Sequence, residues 1–199
     1  MSDSKWEYVK VDKSEVNPEL FQKLDELQIE YETMLGVMSD TDPDFTDINR
    51  AELTKEQIEA EIDQRRTNLE ANNRAALDEF YARGQKELME VDSDNIYGDL
   101  IKLYMYIHNS VRAVKRYVKR HSRLHFYNAK DSQGNFDNDV KLTSEQKSDV
   151  INYKKPYTDL HRKKWLLKQM LPSGTIEQAY HQLYPNRDFD EEFEQEERI

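Results

Sequence analysis

Residues 100–127 read LIKLYMYIHNSVRAVKRYVKRHSRLHFY, and one periodicity runs through them. Leu100, Tyr104, Ile107, Val111, Val114, Val118, His121 and His125 recur at alternating steps of four and three, the spacing that lines side chains along one stripe of an α-helix. Arg112, Lys115, Arg116, Lys119, Arg120 and Arg123 fall off that stripe. The pattern predicts a helix from Leu100 to about Tyr127 that packs along a seam of Leu100, Tyr104, Ile107, Val111, Val114 and Val118. Its other face is cationic.

Upstream, two further helices are written in their caps. Asn17-Pro18-Glu19 offers a side-chain acceptor, a proline at the first helical position and an acid in the first turn, where exposed amide donors favour it. Leu20, Leu24, Leu27, Tyr31, Met34 and Met38 then form a second seam with heptad spacing, and Asp40-Thr41-Asp42-Pro43-Asp44 stops it. Thr54 and Gln57 make a capping box that opens a helix running to about Met89. Its apolar positions are sparse, so it reads as a helix that bridges solvent or lies across a partner.

Downstream, residues 128–142 read as a polar loop around Gly134, and Thr143-Ser144-Glu145-Gln146 as another helix start. A helix carrying Tyr157, Leu160, Trp165, Leu166, Leu167 and Met170 ends at Pro172-Ser173-Gly174, and Thr175-Ile176-Glu177-Gln178 opens a last one, closed by Pro185. At the other terminus Lys5 to Val11 alternates charged and apolar residues, an extended arm that pairs with a neighbour's sheet edge, lies in its groove or packs Trp6 on its own domain. The expected fold is all-α: an elongated bundle of five to six helices with coiled-coil-like seams. It divides into an arm (1–16), a long-helix region (17–127), a polar loop (128–142), a short-helix region (143–187) and an acidic tail (188–199).

Charge is sorted along the same map. Residues 1–99 hold 26 acidic and 11 basic side chains, residues 100–170 hold 6 and 16, and residues 171–199 hold 8 and 2, for a net charge of −11. A cation between two anions favours docking on oppositely charged surface, within the chain or on a partner. In the tail, six acids repel one another while Phe189 and Phe193 stand one turn apart. That segment is expected to be solvated and to order only on docking into a basic, apolar groove, a partner's or that of the chain's own basic block, where it would compete with an anionic partner for the helix of residues 100–127.

Composition narrows the function. Only 37% of residues are hydrophobic and 35% are charged, against about 45–50% and about 25% in ordinary domains, and mean hydropathy is −1.00. With 12 Tyr, 7 Phe and 2 Trp, narrow apolar stripes completed by other copies or other proteins are expected. The absence of cysteine excludes disulfides and thiolate metal sites. Catalysis finds no support either: there is no G-x-S-x-G and no phosphate-cradling glycine loop among five glycines. His121 and His125 share a face without a third ligand, and Asp40, Asp42 and Asp44 resemble a calcium loop that lacks its glycine and its closing glutamate. Residues 165–184 resemble a helix-turn-helix with no Arg or Lys on the would-be reading helix.

The expectation is therefore a non-enzymatic structural or adaptor subunit, acting on protein partners or itself in a larger assembly such as a virion or phage particle. No cofactor, metal, membrane or small-molecule substrate is expected. The alternative is a nucleic-acid-associated replication, packaging or regulatory factor that contacts phosphates through residues 112–130. Met1 to Lys10 lacks the apolar run of a signal peptide, which points to a cytoplasmic or virion setting.

Overall fold

The structure, a computed structural model, describes the backbone of residues 9–128 and 159–193 and the side chains of 9–112 and 159–193. Among these residues there are six α-helices and no strand: α1 (Pro18–Asp40), α2 (Lys55–Met89), α3 (Ile96–Asn128), α4 (residues 159–170), α5 (Thr175–Leu183) and α6 (Phe189–Phe193). A single 3-10 turn, Lys13–Glu15, precedes α1. The fold is all-α, as the periodicities require. Residues 1–8 of the expected arm, nearly all of the polar loop, the helix start at Thr143 and the outer tail from Glu194 lie outside the described residues. So do the side chains of Val114, Val118, Lys115, Arg116, Lys119, Arg120, Arg123, His121 and His125.

The chain divides into two compact units, residues 23–90 and residues 1–22 with 91–199, with the division inside α1. In the first unit, the rest of α1 and α2 form an antiparallel pair. Tyr31 stacks on Phe80 with ring centroids 6.0 Å apart and lies 6.4 Å from Tyr81. Glu30 pairs with Arg83, and Lys23 with Glu87 at 3.7 Å, so partners ascend one helix as they descend the other. Thr54 caps α2 as its sequence predicts: its Oγ1 accepts from the Gln57 amide at 3.3 Å, and Gln57 Oε1 accepts from the Thr54 amide at 2.9 Å. In the connecting loop the Asp44 carboxylate accepts from the amide (2.9 Å) and hydroxyl (2.7 Å) of Thr46. These bonds hold the Asp44 pKa below its ordinary value, so Asp44 shapes a turn.

The second unit is built on α3. Asn95 starts that helix a turn earlier than its apolar pattern suggests, because its Oδ1 accepts from the Gly98 amide at 3.2 Å and its carbonyl from the Asp99 amide at 2.9 Å. Asn17 caps α1 through the Glu19 amide at 3.0 Å and also donates to Asp99 Oδ2 at 3.1 Å, joining the starts of two helices. The seam residues Leu100, Tyr104, Ile107 and Val111 are buried, as are Leu20, Leu24 and Leu27 of α1, while Tyr31, Met34 and Met38 are half-buried.

One expectation fails. Ile101, Leu103 and Met105 lie off the predicted seam and are also buried, with His108. Over residues 100–112 α3 therefore has no single packed stripe: it is enclosed on most of its circumference, as an all-round apolar helix must be. Leu166, Leu167 and Met170 of α4 and Ala179 and Tyr180 of α5 are buried in the same unit. The turn between α4 and α5 depends on Gly174, whose φ of 80° lies in the left-handed region that side chains disfavour. Gly174, not Thr175, is the N-cap of α5, and it supplies no side-chain bond.

Enclosure on most sides has a measurable consequence. Leu103→Ala and Met105→Ala, both off the seam, are each expected to cost about 2–5 kcal/mol in urea unfolding. Tyr97→Ala, at a position 48% exposed, should stay within about 0.5 kcal/mol of wild type. Near-neutral values for the first two would restore the single stripe.

Candidate interaction sites

The tail was expected to lie outside the core, but its first turn is part of the fold. Asp188 Oδ1 accepts from the amides of Asp190 (2.9 Å) and Glu191 (3.1 Å), which caps α6. Phe189 and Phe193 then lie against each other, tilted by 45° at 4.6 Å between centroids. Phe193 also reaches the His108 ring at 4.6 Å, Tyr104 at 5.4 Å and Tyr180 at 5.7 Å, in edge-on or tilted arrangements that aromatic quadrupoles favour. Between the two phenylalanines, Glu192 has no exposed surface.

A buried carboxylate needs donors. The Val9 amide donates to Glu192 Oε1 at 3.2 Å, and the Tyr180 hydroxyl to Oε2 at 3.4 Å. Arg187 Nη1 stands 4.0 Å from Oε2. Burial pushes the Glu192 pKa above its ordinary value, and the Arg112 charge, the Val9 bond, Arg187 and Tyr180 offset only part of that. Tyr180 is itself pushed up to about 12, mainly by burial and then by the Glu192 charge.

Arg112 was expected on the cationic face and is found in the interior instead, 8% exposed, with Nη2 donating to the Glu192 carbonyl at 2.9 Å. Three segments distant in sequence meet here. Asn109 Nδ2 donates to the Val9 carbonyl at 2.9 Å, so α3 holds the backbone of the N-terminal segment on one side and that of α6 on the other. Beside this network Lys164 Nζ lies 2.9 Å from His108 Nδ1. With Lys164 as an ammonium, which only donates, Nδ1 is the acceptor of this bond. Lys164 and Lys168 also sit over the Tyr104 ring, at 5.9 and 6.0 Å from its centroid.

The sequence pattern had placed Phe189, Phe193 and Arg112 at sites of interaction. It missed Glu192, His108, Asn109, Lys164, Tyr180 and Arg187. Asp188 with Glu191 three residues later is a cap signal that could have announced α6; the buried Glu192 has no local signal, because it reads as one acid among six.

The unit of residues 23–90 carries a second surface. Ile29 and Val37, two turns apart on α1, are 67% and 63% exposed. Val37, Met34 and Met38 line a cavity of about 460 Å³ with Glu30, Thr33 and Asn73. This unit holds 18 acidic and 8 basic residues, so the apolar strip is set in anionic surface.

Among the described residues no cluster of three or more His, Asp or Glu is placed to hold a metal ion, and no helix is long and apolar enough to cross a membrane. Compared with protein families, with curated proteins and with solved structures, the chain matches none.

The Glu192 site predicts a pH signature. A carboxyl whose pKa is raised by folding contributes stability below its unfolded value, near 4.5, and loses that contribution as pH rises through the folded value. Glu192→Gln keeps an acceptor for Val9 and carries no charge to bury. It should unfold at higher urea than wild type at pH 7, with the advantage gone by about pH 4. A variant less stable than wild type at pH 7 would show that attraction to Arg112 and Arg187 outweighs the cost of burial.

Proposed function

We propose that this chain is a non-enzymatic structural or adaptor subunit that acts through helix-mediated protein–protein contacts in a larger assembly, a virion or phage particle being one setting. The observation that carries the reading is the exposed Ile29 and Val37 strip beside the Met34 and Met38 cavity on an otherwise highly charged hairpin. Large apolar side chains grouped on such a surface mark contact sites for other chains. A helix with an apolar stripe flanked by Lys and Arg fits this acidic strip. Residues 113–128 of a second copy have that composition, with five basic residues and no acid. Self-assembly through complementary segments, hairpin to basic helix, is the simplest form of the reading.

A second reading rests on the same basic run. Lys115, Arg116, Lys119, Arg120 and Arg123 fall within nine residues of one helix, about two and a half turns, a density suited to tracking phosphates. Arg112 adds little to it, because its guanidinium is directed to the Glu192 carbonyl.

Light scattering at about 50 mM and about 500 mM salt, with and without a short duplex, separates the two. The assembly reading expects a mass above the 23.8 kDa of one chain, largely kept at high salt. The Ile29→Asp, Val37→Asp double variant should lose it with an unchanged helical circular dichroism signal, since both positions are exposed. A wild type of single-chain mass that complexes only with duplex, and releases it at high salt, favours the nucleic-acid reading.

A further inference from the structure

The seat of α6 has the chemistry of a peptide-binding site. Its floor is aromatic, formed by Tyr104, His108 and Tyr180, and Arg112 supplies positive charge. The element it holds is a five-residue helix with anchors at Phe189, Glu192 and Phe193, while Asp190 and Glu191 face solvent. Anchors at a first, fourth and fifth position on an acidic segment are how amphipathic helices seat in grooves. Nothing in the contact depends on chain continuity: Phe193 enters by ring packing, Glu192 is read through its carboxylate by Val9 and through its carbonyl by Arg112. The connection from α5 is the exposed turn at Pro185 and Asn186. The seat also carries a built-in cost, a carboxylate with no exposed surface.

We propose that the α3–α5 surface covered by α6 is a docking site for a short acidic helix of a partner protein, one bearing two phenylalanines a turn apart with a glutamate before the second. The chain's own α6 is its resident occupant and competes with that partner. This site is separate from the strip on α1 and does not rest on the assembly reading. A tethered occupant faces its site at an effective concentration on the order of millimolar. A partner therefore gains access when its own contacts exceed that advantage or when α6 is weakened.

The test uses the full chain and a labelled synthetic peptide spanning Asn186 to Ile199, followed by fluorescence anisotropy. In the Phe189→Ser, Phe193→Ser double variant α6 loses both ring anchors and its competition falls. This variant should bind the peptide at least about tenfold more tightly than wild type. A peptide carrying Glu192→Lys and Phe193→Ser should bind at least about tenfold more weakly than the native peptide, as expected for anchor residues. Equal affinity for the two peptides overturns the proposal, because neither anchor side chain would then contribute to uptake. A variant that keeps its helical signal and takes up no peptide overturns it as well. So does a variant that loses the helical signal, which would make α6 core and nothing more; the milder Phe193→Leu variant, which keeps apolar bulk, should then also unfold at lower urea without taking up peptide. A wild type that dimerises and separates on Phe193→Ser would assign the surface to α6 of a second copy instead.

Discussion

Glu192 has no exposed surface, and a carboxylate in that position must be met by donors or give up its charge. The way it is met organises the second unit. The Val9 amide reaches it from the N-terminal segment, Tyr180 from α5 and Arg187 from the turn before α6. Arg112 of α3 takes the carbonyl of the same residue. Residues near both ends of the chain are thereby fixed to the middle of one helix. The aromatic packing of Phe193 on Tyr104, His108 and Tyr180 closes the site against water, which strengthens each polar contact inside it.

α3 changes character along its length. From Leu100 to Arg112 it is enclosed by apolar neighbours and ends in a buried arginine; from residue 113 its sequence turns cationic. The α1–α2 pair of the other unit is the opposite in kind. It joins through Tyr31, Phe80 and Tyr81 and through ion pairs at its surface, the ion pairs worth a few tenths to about 1 kcal/mol each. Leu24, Leu27, Phe80 and Leu88 of the two helices are buried, while Ile29 and Val37 stand open to solvent. That contrast between an enclosed unit and an open one is the physical basis of the assembly reading.

The helix starts at Asn17 and Thr54 were legible because capping is local: acceptor and amide lie within three residues of each other. The stop at Asp40 and the Gly174 turn were legible for the same reason. The burial of Leu103 and Met105 was not, since a heptad count assigns each residue to one face and cannot register a helix surrounded by its neighbours. Arg112 and Glu192 were misplaced by their company. Each sits in a run of like charges, and a run is read as solvated. Their contact spans 80 positions of sequence, and no window short enough to scan contains both.

The central claim is that α6 and the N-terminal segment are ordered together on α3 by the Glu192 contacts. Hydrogen exchange on the full chain tests it most directly, by comparing residues 9–12, 104–112 and 189–193 with the same segments as free peptides. The account predicts that all three exchange slowly and that Glu192→Lys releases 9–12 and 189–193 together while 104–108 stays protected. Free-peptide rates at 189–193 in the wild type, or release of one segment without the other, would contradict it.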